Sequence, residues 1–337
     1  MTEYKLTPKE NYIRAMRGEF PEYLPMWDMF GWGVRSSATA HFTKRLPNGN
    51  TVNEFGVESV SVPDAEGGSI PVPGKFILED ITKWRDVIKA PSLEGIDWEA
   101  AARRDLKDYD RRTKPVMSHI GGFFLTLVSF MGFENGLCAM YEEPEEVKAL
   151  FQYLLDYYIK VYKNILYYYK PDVMSMGDDT ATKNNPFFSP EMEKELLLPF
   201  QKAEADLAHD AGIPIQMHNC GRCEDFVQDW VDIGISAWDP AQTDNDLLGI
   251  KEKFGRKMLI VGGWDYSGPV SHPGSSDQLL KDELVKYVDT MAPGGGFAYF
   301  TRFLGKTGDP EAARKMKIMN DFYYDYARDW YKRNGYV

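Results

Sequence analysis

Cysteine, long apolar runs and concentrated positive charge are all scarce in this chain. Three cysteines among 337 residues, Cys138, Cys220 and Cys223, are a poor number for a disulfide framework. They fit a reducing compartment and thiol or metal chemistry better. The longest apolar stretch, Ile120–Phe133, has 14 residues and includes Gly and Ser. That falls short of the roughly 20 a membrane-spanning helix needs, so it reads as core. Met1–Asn11 is polar and charged with no apolar h-region, which argues against a secretory signal and for a cytoplasmic location. Lys and Arg total 39 against 51 Asp and Glu, a formal net charge of −12, and no basic block stands out. Such a surface favours solubility and repels phosphate backbones, so neither nucleic acid nor membrane is an expected partner.

What is present is a globular composition, 43% hydrophobic and 27% charged, and a length that suits one α/β barrel with insertions over residues 1–337. A first helix starts at Thr7-Pro8, where Thr7 caps, Pro8 suits the first helical position and Glu10 completes a capping box; Gly18 ends it. From there short apolar runs alternate with amphipathic stretches. The predicted strands are Leu24–Trp27, Val57–Val62, Pro115–Ile120, Asp172–Met176, Pro214–His218, Ser236–Trp238, Met258–Gly262 and Gly296–Thr301. The predicted helices are Ile81–Ala90, Trp98–Asp108, Glu145–Tyr169, Pro190–Ala211, Cys223–Ile233, Asn245–Phe254, Asp277–Met291 and Pro310–Trp330. Strand–helix alternation argues for a parallel sheet, and eight strands favour its closure into a (β/α)8 TIM barrel.

Reactive side chains in such barrels come from the C-terminal ends of several strands. The richest end is Met217-His218-Asn219-Cys220-Gly221-Arg222-Cys223. Strand alternation points His218 and Cys220 the same way, and Cys223 follows at Cys-x-x-Cys spacing. Zinc takes imidazole and thiolate at about 2.0–2.3 Å and needs three protein ligands in a catalytic site, which His218, Cys220 and Cys223 would supply. A redox pair, and a histidine in a strand-end network beside two unligated thiols, are the other readings. At Gly177-Asp178-Asp179-Thr180, Asp178 and Asp179 are candidate general acids, with adjacent side chains pointing to opposite faces; capping of the following helix is the alternative.

Asp239 and Asp265 sit at neighbouring strand ends as a further ligand, an anchor for His218, or turn formers. His119 is placed at the barrel mouth as a substrate contact or as a structural histidine. Trp27 and Phe30, after the first strand, are candidate walls of an aromatic pocket, whereas Tyr153, Tyr157, Tyr158, Tyr162, Tyr167, Tyr168 and Tyr169 read as the buried face of one helix. The glycine run before Gly296–Thr301 reads as a turn.

The order of these motifs resembles the uroporphyrinogen-decarboxylase-like superfamily. The resemblance rests on Thr7-Pro8-Lys9-Glu10 through Arg14–Glu19, Gly177-Asp178-Asp179, Phe188–Met192, Leu198-Pro199-Phe200, His218–Gly221, Trp238–Gln242 and Gly263-Trp264-Asp265. It covers nearly the whole chain and implies a uroporphyrinogen-decarboxylase-like TIM barrel. Met26–Trp32 lacks the arginine that the decarboxylase branch carries after its first strand, and none occurs until Arg35. The cobalamin-dependent methyltransferase branch uses zinc on His-x-Cys and a later Cys near the last strand. His218 and Cys220 match, but Gly296–Arg302 holds no cysteine, which leaves Cys223, Asp265 or no metal at all. The resemblance therefore implies a Zn2+-dependent O-demethylase-type methyltransferase. Its small methyl donor, of which an aryl methyl ether is one class, would pass the methyl group to a corrinoid supplied by a partner protein; a homodimer is the self-association to look for. A metal-free lyase acting on a small carboxylated or tetrapyrrole substrate is the alternative.

Overall fold

The structure is a computed structural model that describes residues 3–62, 68–272, 274–303, 305 and 308–337; the side chains of Met29 and Phe30 also lie outside the described set. Four short strands, β1 (Lys44–Arg45), β2 (Thr51–Val52), β3 (Glu58–Ser61) and β4 (Ser69–Pro71), form an antiparallel meander. Six others form one parallel sheet in sequence order: β5 (Met117–His119), β6 (Val173–Gly177), β7 (Ile215–His218), β8 (Ala237–Ala241), β9 (Leu259–Gly262) and β10 (Phe297–Ala298).

One N-terminal segment closes that sheet into a ring. Met26 bridges Tyr299 just beyond β10, and Gly33 bridges Met117 in β5, both parallel. Tyr299 N–H donates to Pro25 O at 2.7 Å, Trp27 N–H to Tyr299 O at 3.1 Å and Val34 N–H to Met117 O at 2.8 Å. Residues 25–34 thus fill the gap between first and last strands, where two regular strands were expected. Val57–Val62 is not a barrel strand. Its core, Glu58–Ser61, pairs with β2 and β4 through local antiparallel contacts, which need only short loops to close.

Alternation divides the buried residues into two clusters. Met174, Met176, Ile215, Met217, Trp238, Ile260 and Phe297 face outward into the core under the helices. Met117, Val173, Ala237, Leu259, Val261 and Ala298 face into the ring, packed with Tyr12, Ala15 and Met16 of the helix Pro8–Met16. These inner apolar residues sit mostly at strand starts, so the first helix plugs that end. Its capping box is present as expected, with Thr7 and Glu10 each accepting from the other's backbone. The polar inward residues, Ser175, Gln216, His218 and Asp239, come later along the strands and leave the opposite end for chemistry.

The helix Phe124–Met131 lies within the apolar stretch Ile120–Phe133, and a second helix, Phe133–Glu142, begins at its last residue. Of the tyrosine series on the helix Pro144–Tyr169, Tyr157, Tyr158, Tyr162 and Tyr169 are buried, while Tyr167 faces solvent. Among the described residues no helix is long and apolar enough to cross a membrane.

Candidate metal centre at the barrel mouth

Parallel register sets Gly177 and His218, at the ends of β6 and β7, beside Asp239 in the middle of β8. His218 Nδ1 meets Asp239 Oδ2 at 2.7 Å, and Asp239 is 1% exposed. Asp239 Oδ1 accepts from Gln216 Nε2 at 2.5 Å, and Gln216 Oε1 accepts from Tyr12 OH at 2.6 Å. A buried chain of hydrogen bonds therefore runs from the plugging helix to the imidazole. With Nδ1 engaged, Nε2 is the nitrogen left for a ligand. Burial pulls the His218 pKa down, but the Asp239 carboxylate and Cys220 outweigh it and push it up to about 11. The pocket thus favours positive charge at this imidazole.

Cys220 and Asp179 complete the group. The Cys220 N–H donates to Asp179 Oδ1 at 2.9 Å. One ligand atom each from Asp179, His218 and Cys220 lies within 4.8 Å of the others, and all three side chains are half-buried. Burial raises the Cys220 thiol pKa, and His218 works against that rise.

Cys223 is not brought to this group. After Cys220 the chain enters a left-handed turn at Gly221, φ 91°. A β-carbon there would stand 2.6 Å from the carbonyl oxygens of Ala181 and Thr182, so only glycine fits. The turn ends the strand alternation. Cys223 N–H is taken by Asn245 Oδ1 at 2.8 Å, and its fully buried Sγ lies 3.1 Å from Cys220 O and 3.2 Å from Asn219 Oδ1. Burial pushes this thiol well above its ordinary pKa, so it stays protonated and donates to these oxygens. Asp179, read from sequence as an acid, stands with His218 and Cys220 instead.

The two carboxylates of the Asp178-Asp179 pair diverge as alternation requires. Asp178 is 3% exposed and accepts the backbone N–H groups of Phe123, Phe124 and Leu125 at 2.7–2.9 Å. It therefore holds the start of the helix Phe124–Met131, which precedes it in sequence. Burial raises its pKa to about 6 against the pull of those donors.

His119 stands open in the mouth with Nδ1 3.5 Å from Ser175 Oγ. Protein on the surrounding walls lowers its pKa to about 4, helped by the charges of His218 and Arg35. Gly177 makes room for it, since a β-carbon there would sit 2.8 Å from His119 Cε1.

Asp265 is exposed and accepts from Ser267 N–H and O–H at 3.0 and 2.9 Å, a turn-forming role. It lines a 430 Å³ cavity between the helices Leu247–Phe254 and Asp277–Met291. Trp27 is buried and lines a second cavity of 340 Å³. Neither cavity is lined by His218, Cys220 or Asp179. The Phe30 side chain lies outside the described residues. Sequence reasoning missed the Gln216–Tyr12 extension of the relay; the signal available was that Gln216 and His218 are two apart on one strand, hence on one face.

An α/β barrel with a mixed nitrogen, sulfur and oxygen cluster at its strand ends is the class these features define. The uroporphyrinogen decarboxylase (URO-D) family profile matches residues 52–294, and the chain belongs to that family, as the order of its motifs suggested. A methyltransferase from Methanosarcina mazei shares the fold with a TM-score of 0.64 at 13% identity, covering 95% of this chain and 100% of that one. No curated protein matches the sequence.

Proposed function

We propose that this protein is a zinc-dependent methyltransferase that passes a methyl group from a small methylated donor, such as an aryl methyl ether, to the cobalt of a separate corrinoid protein. The observation that carries this reading is the convergence of Asp179, His218 and Cys220 within 4.8 Å. The donor set fits zinc, which accepts carboxylate, imidazole and thiolate together and keeps a fourth position open in catalytic sites. Zinc bound there would supply Lewis acidity to the atom from which the methyl group leaves.

The chain's own residues have separable parts in this scheme. Asp239 fixes the tautomer and aim of His218, with Gln216 and Tyr12 fixing Asp239 in turn. Asp179 is half-buried within the cluster and would supply its carboxylate ligand, whereas Asp178 is taken up by the backbone N–H groups of a helix start. His119, neutral at pH 7, offers an uncharged donor or acceptor in the mouth.

A lyase acting on a carboxylated substrate remains the second reading. The observation in its favour is Arg35, which stands close enough to His119 for its charge to lower that histidine's pKa. The deciding experiment supplies zinc-loaded protein with a methoxylated aromatic and cob(I)alamin and follows methylcobalamin formation by absorbance. Transfer that disappears in His218→Ala supports the methyltransferase. Protein that stays metal-free without chelators, forms no methylcobalamin and releases CO2 from a carboxylated substrate supports the lyase.

A further inference from the structure

Cys223 has no part in the scheme above, yet its sulfur is turned toward a residue that does. Its Sγ lies 3.1 Å from the Cys220 carbonyl oxygen. Cys223 is completely buried, whereas Cys220 is partly open at the barrel mouth. The backbone from one to the other is held at each of its four residues. The Cys220 N–H donates to Asp179 Oδ1 at 2.9 Å, the Gly221 N–H to Gln242 Oε1, the Arg222 N–H to Thr182 O at 2.8 Å and the Cys223 N–H to Asn245 Oδ1 at 2.8 Å. Asn245 Nδ2 also donates to Gly221 O at 3.0 Å. The left-handed turn at Gly221 folds this segment back, and no other residue fits there. A loop pinned in this way leaves side-chain rotation as the motion that brings the two sulfurs together, so their reaction is intramolecular and needs no encounter. An open cysteine backed by a buried one is also the arrangement in which the second thiol resolves oxidation of the first.

We propose that Cys220 and Cys223 are an oxidation site for peroxides, closing to a disulfide that reversibly disarms the metal centre. In the first step a peroxide transfers one oxygen to Cys220 Sγ. The O–O bond breaks, an S–O bond forms, and water leaves behind a sulfenic acid. In the second step Cys223 Sγ attacks the Cys220 sulfur. The S–S bond forms, the S–O bond breaks, and the departing hydroxyl leaves as water with the Cys223 proton. The two thiols lose two electrons together, and one hydrogen peroxide is reduced to two waters. The disulfide withdraws Cys220 from the group with Asp179 and His218. Two protein ligands then remain, one short of the three a catalytic zinc site needs. Cys223 also spares Cys220 from further oxidation to the sulfinic acid, which dithiol reductants do not reverse. The consequence for metal rests on the methyltransferase reading; the disulfide itself does not.

Peptide mapping of the full chain, treated with a chelator and then with hydrogen peroxide, tests the proposal without requiring metal or turnover. Remaining thiols are blocked with N-ethylmaleimide before digestion with trypsin. Cleavage after Arg222 puts the two sulfurs on separate peptides, 203–222 and 223–251, so the disulfide is read as one linked mass. The expected result is that linked pair, with free thiols falling from three per chain to one, the exposed Cys138. Dithiothreitol restores all three thiols and, with them, the capacity to bind zinc. In Cys223→Ser no linked pair forms, excess peroxide carries Cys220 to the sulfinic acid, and dithiothreitol does not restore it. Cys138→Ser forms the linked pair as wild type does. Absence of the linked pair in wild type overturns the proposal, as does a link through Cys138 or equal recovery of Cys220 in Cys223→Ser and wild type. A linked pair in protein that never takes up zinc sinks the proposed function and keeps this site; zinc held by His218 and Cys220 in protein that forms no linked pair does the reverse.

Discussion

Asp239 holds His218 through a 2.7 Å contact between Oδ2 and Nδ1, and its other oxygen is held 2.5 Å from Gln216 Nε2. The carboxylate is fully buried, so its geometry is set by these partners and not by water. An imidazole fixed in this way presents Nε2 in one direction, and a cation that displaces the Nε2 proton would find a defined ligand there.

Asp239→Asn keeps the shape of that contact but removes its charge. It is expected to weaken zinc binding about 10–100-fold, the usual range for outer partners of a ligating histidine. Tyr12→Phe breaks the relay one step further away and is expected to have a smaller effect in the same direction. Competition against a chromophoric chelator measures both. Equal affinity in Asp239→Asn and wild type would mean that His218 is not a ligand.

The two cysteines of Cys220-Gly221-Arg222-Cys223 separate cleanly. Cys220→Ser is expected to lose zinc, and Cys223→Ser to keep a full equivalent. The Cys223 hydroxyl replacement still finds the Asn219 Oδ1 and Cys220 O acceptors that now surround Sγ. Metal analysis after dialysis reads the difference. Zinc lost from Cys223→Ser with the fold intact would restore the ligand set expected from sequence.

Gly177→Ala places a β-carbon 2.8 Å from His119 Cε1 but 3.5 Å from His218 Cβ, an ordinary contact. His119 must therefore move while His218 stays. The expected outcome is a stability loss of about 1–3 kcal/mol from overpacking, a drop in turnover and unchanged zinc content. Thermal unfolding and metal analysis on one preparation check all three.

Glu193 is completely buried, and its pKa is raised to about 8 by burial and then by the charge of Asp178, against its ordinary 4.5. The folded state binds this proton more tightly than the unfolded state does. Stability therefore falls as pH rises from about 4.5 through about 8. Glutamine cannot ionise, and it keeps an oxygen for the Gln201 Nε2 donor now 3.1 Å from Oε1. Glu193→Gln is expected to match wild type near pH 4.5 and to exceed it at pH 9 by on the order of a few kcal/mol. Urea unfolding at the two pH values measures the gap, and parallel pH curves for the two proteins would contradict it.

Periodicity made the second half of the barrel legible. β6, β7 and β9 each lie within one residue of their expected spans, because buried parallel strands are bounded by glycine and polar turns; β8 runs three residues past its expected end. The ring closure was not legible, since two isolated bridges, at Met26 and Gly33, leave no run of alternating residues to read. At the site, strand alternation placed His218 and separated Asp178 from Asp179. It failed at Cys223 because the left-handed turn at Gly221 turns the next residues toward the outer core. Asp239 was one of two candidate anchors for His218, and only register across β7 and β8 distinguishes it from Asp265.

In the proposed centre one imidazole, one thiolate and one carboxylate, from His218, Cys220 and Asp179, would hold a single zinc ion. X-ray absorption at the zinc edge on protein loaded with one equivalent tests this most directly. One sulfur per zinc among nitrogen and oxygen neighbours, unchanged in Cys223→Ser, is the expected result. Two sulfurs per zinc, or a first shell of oxygen alone, would contradict it.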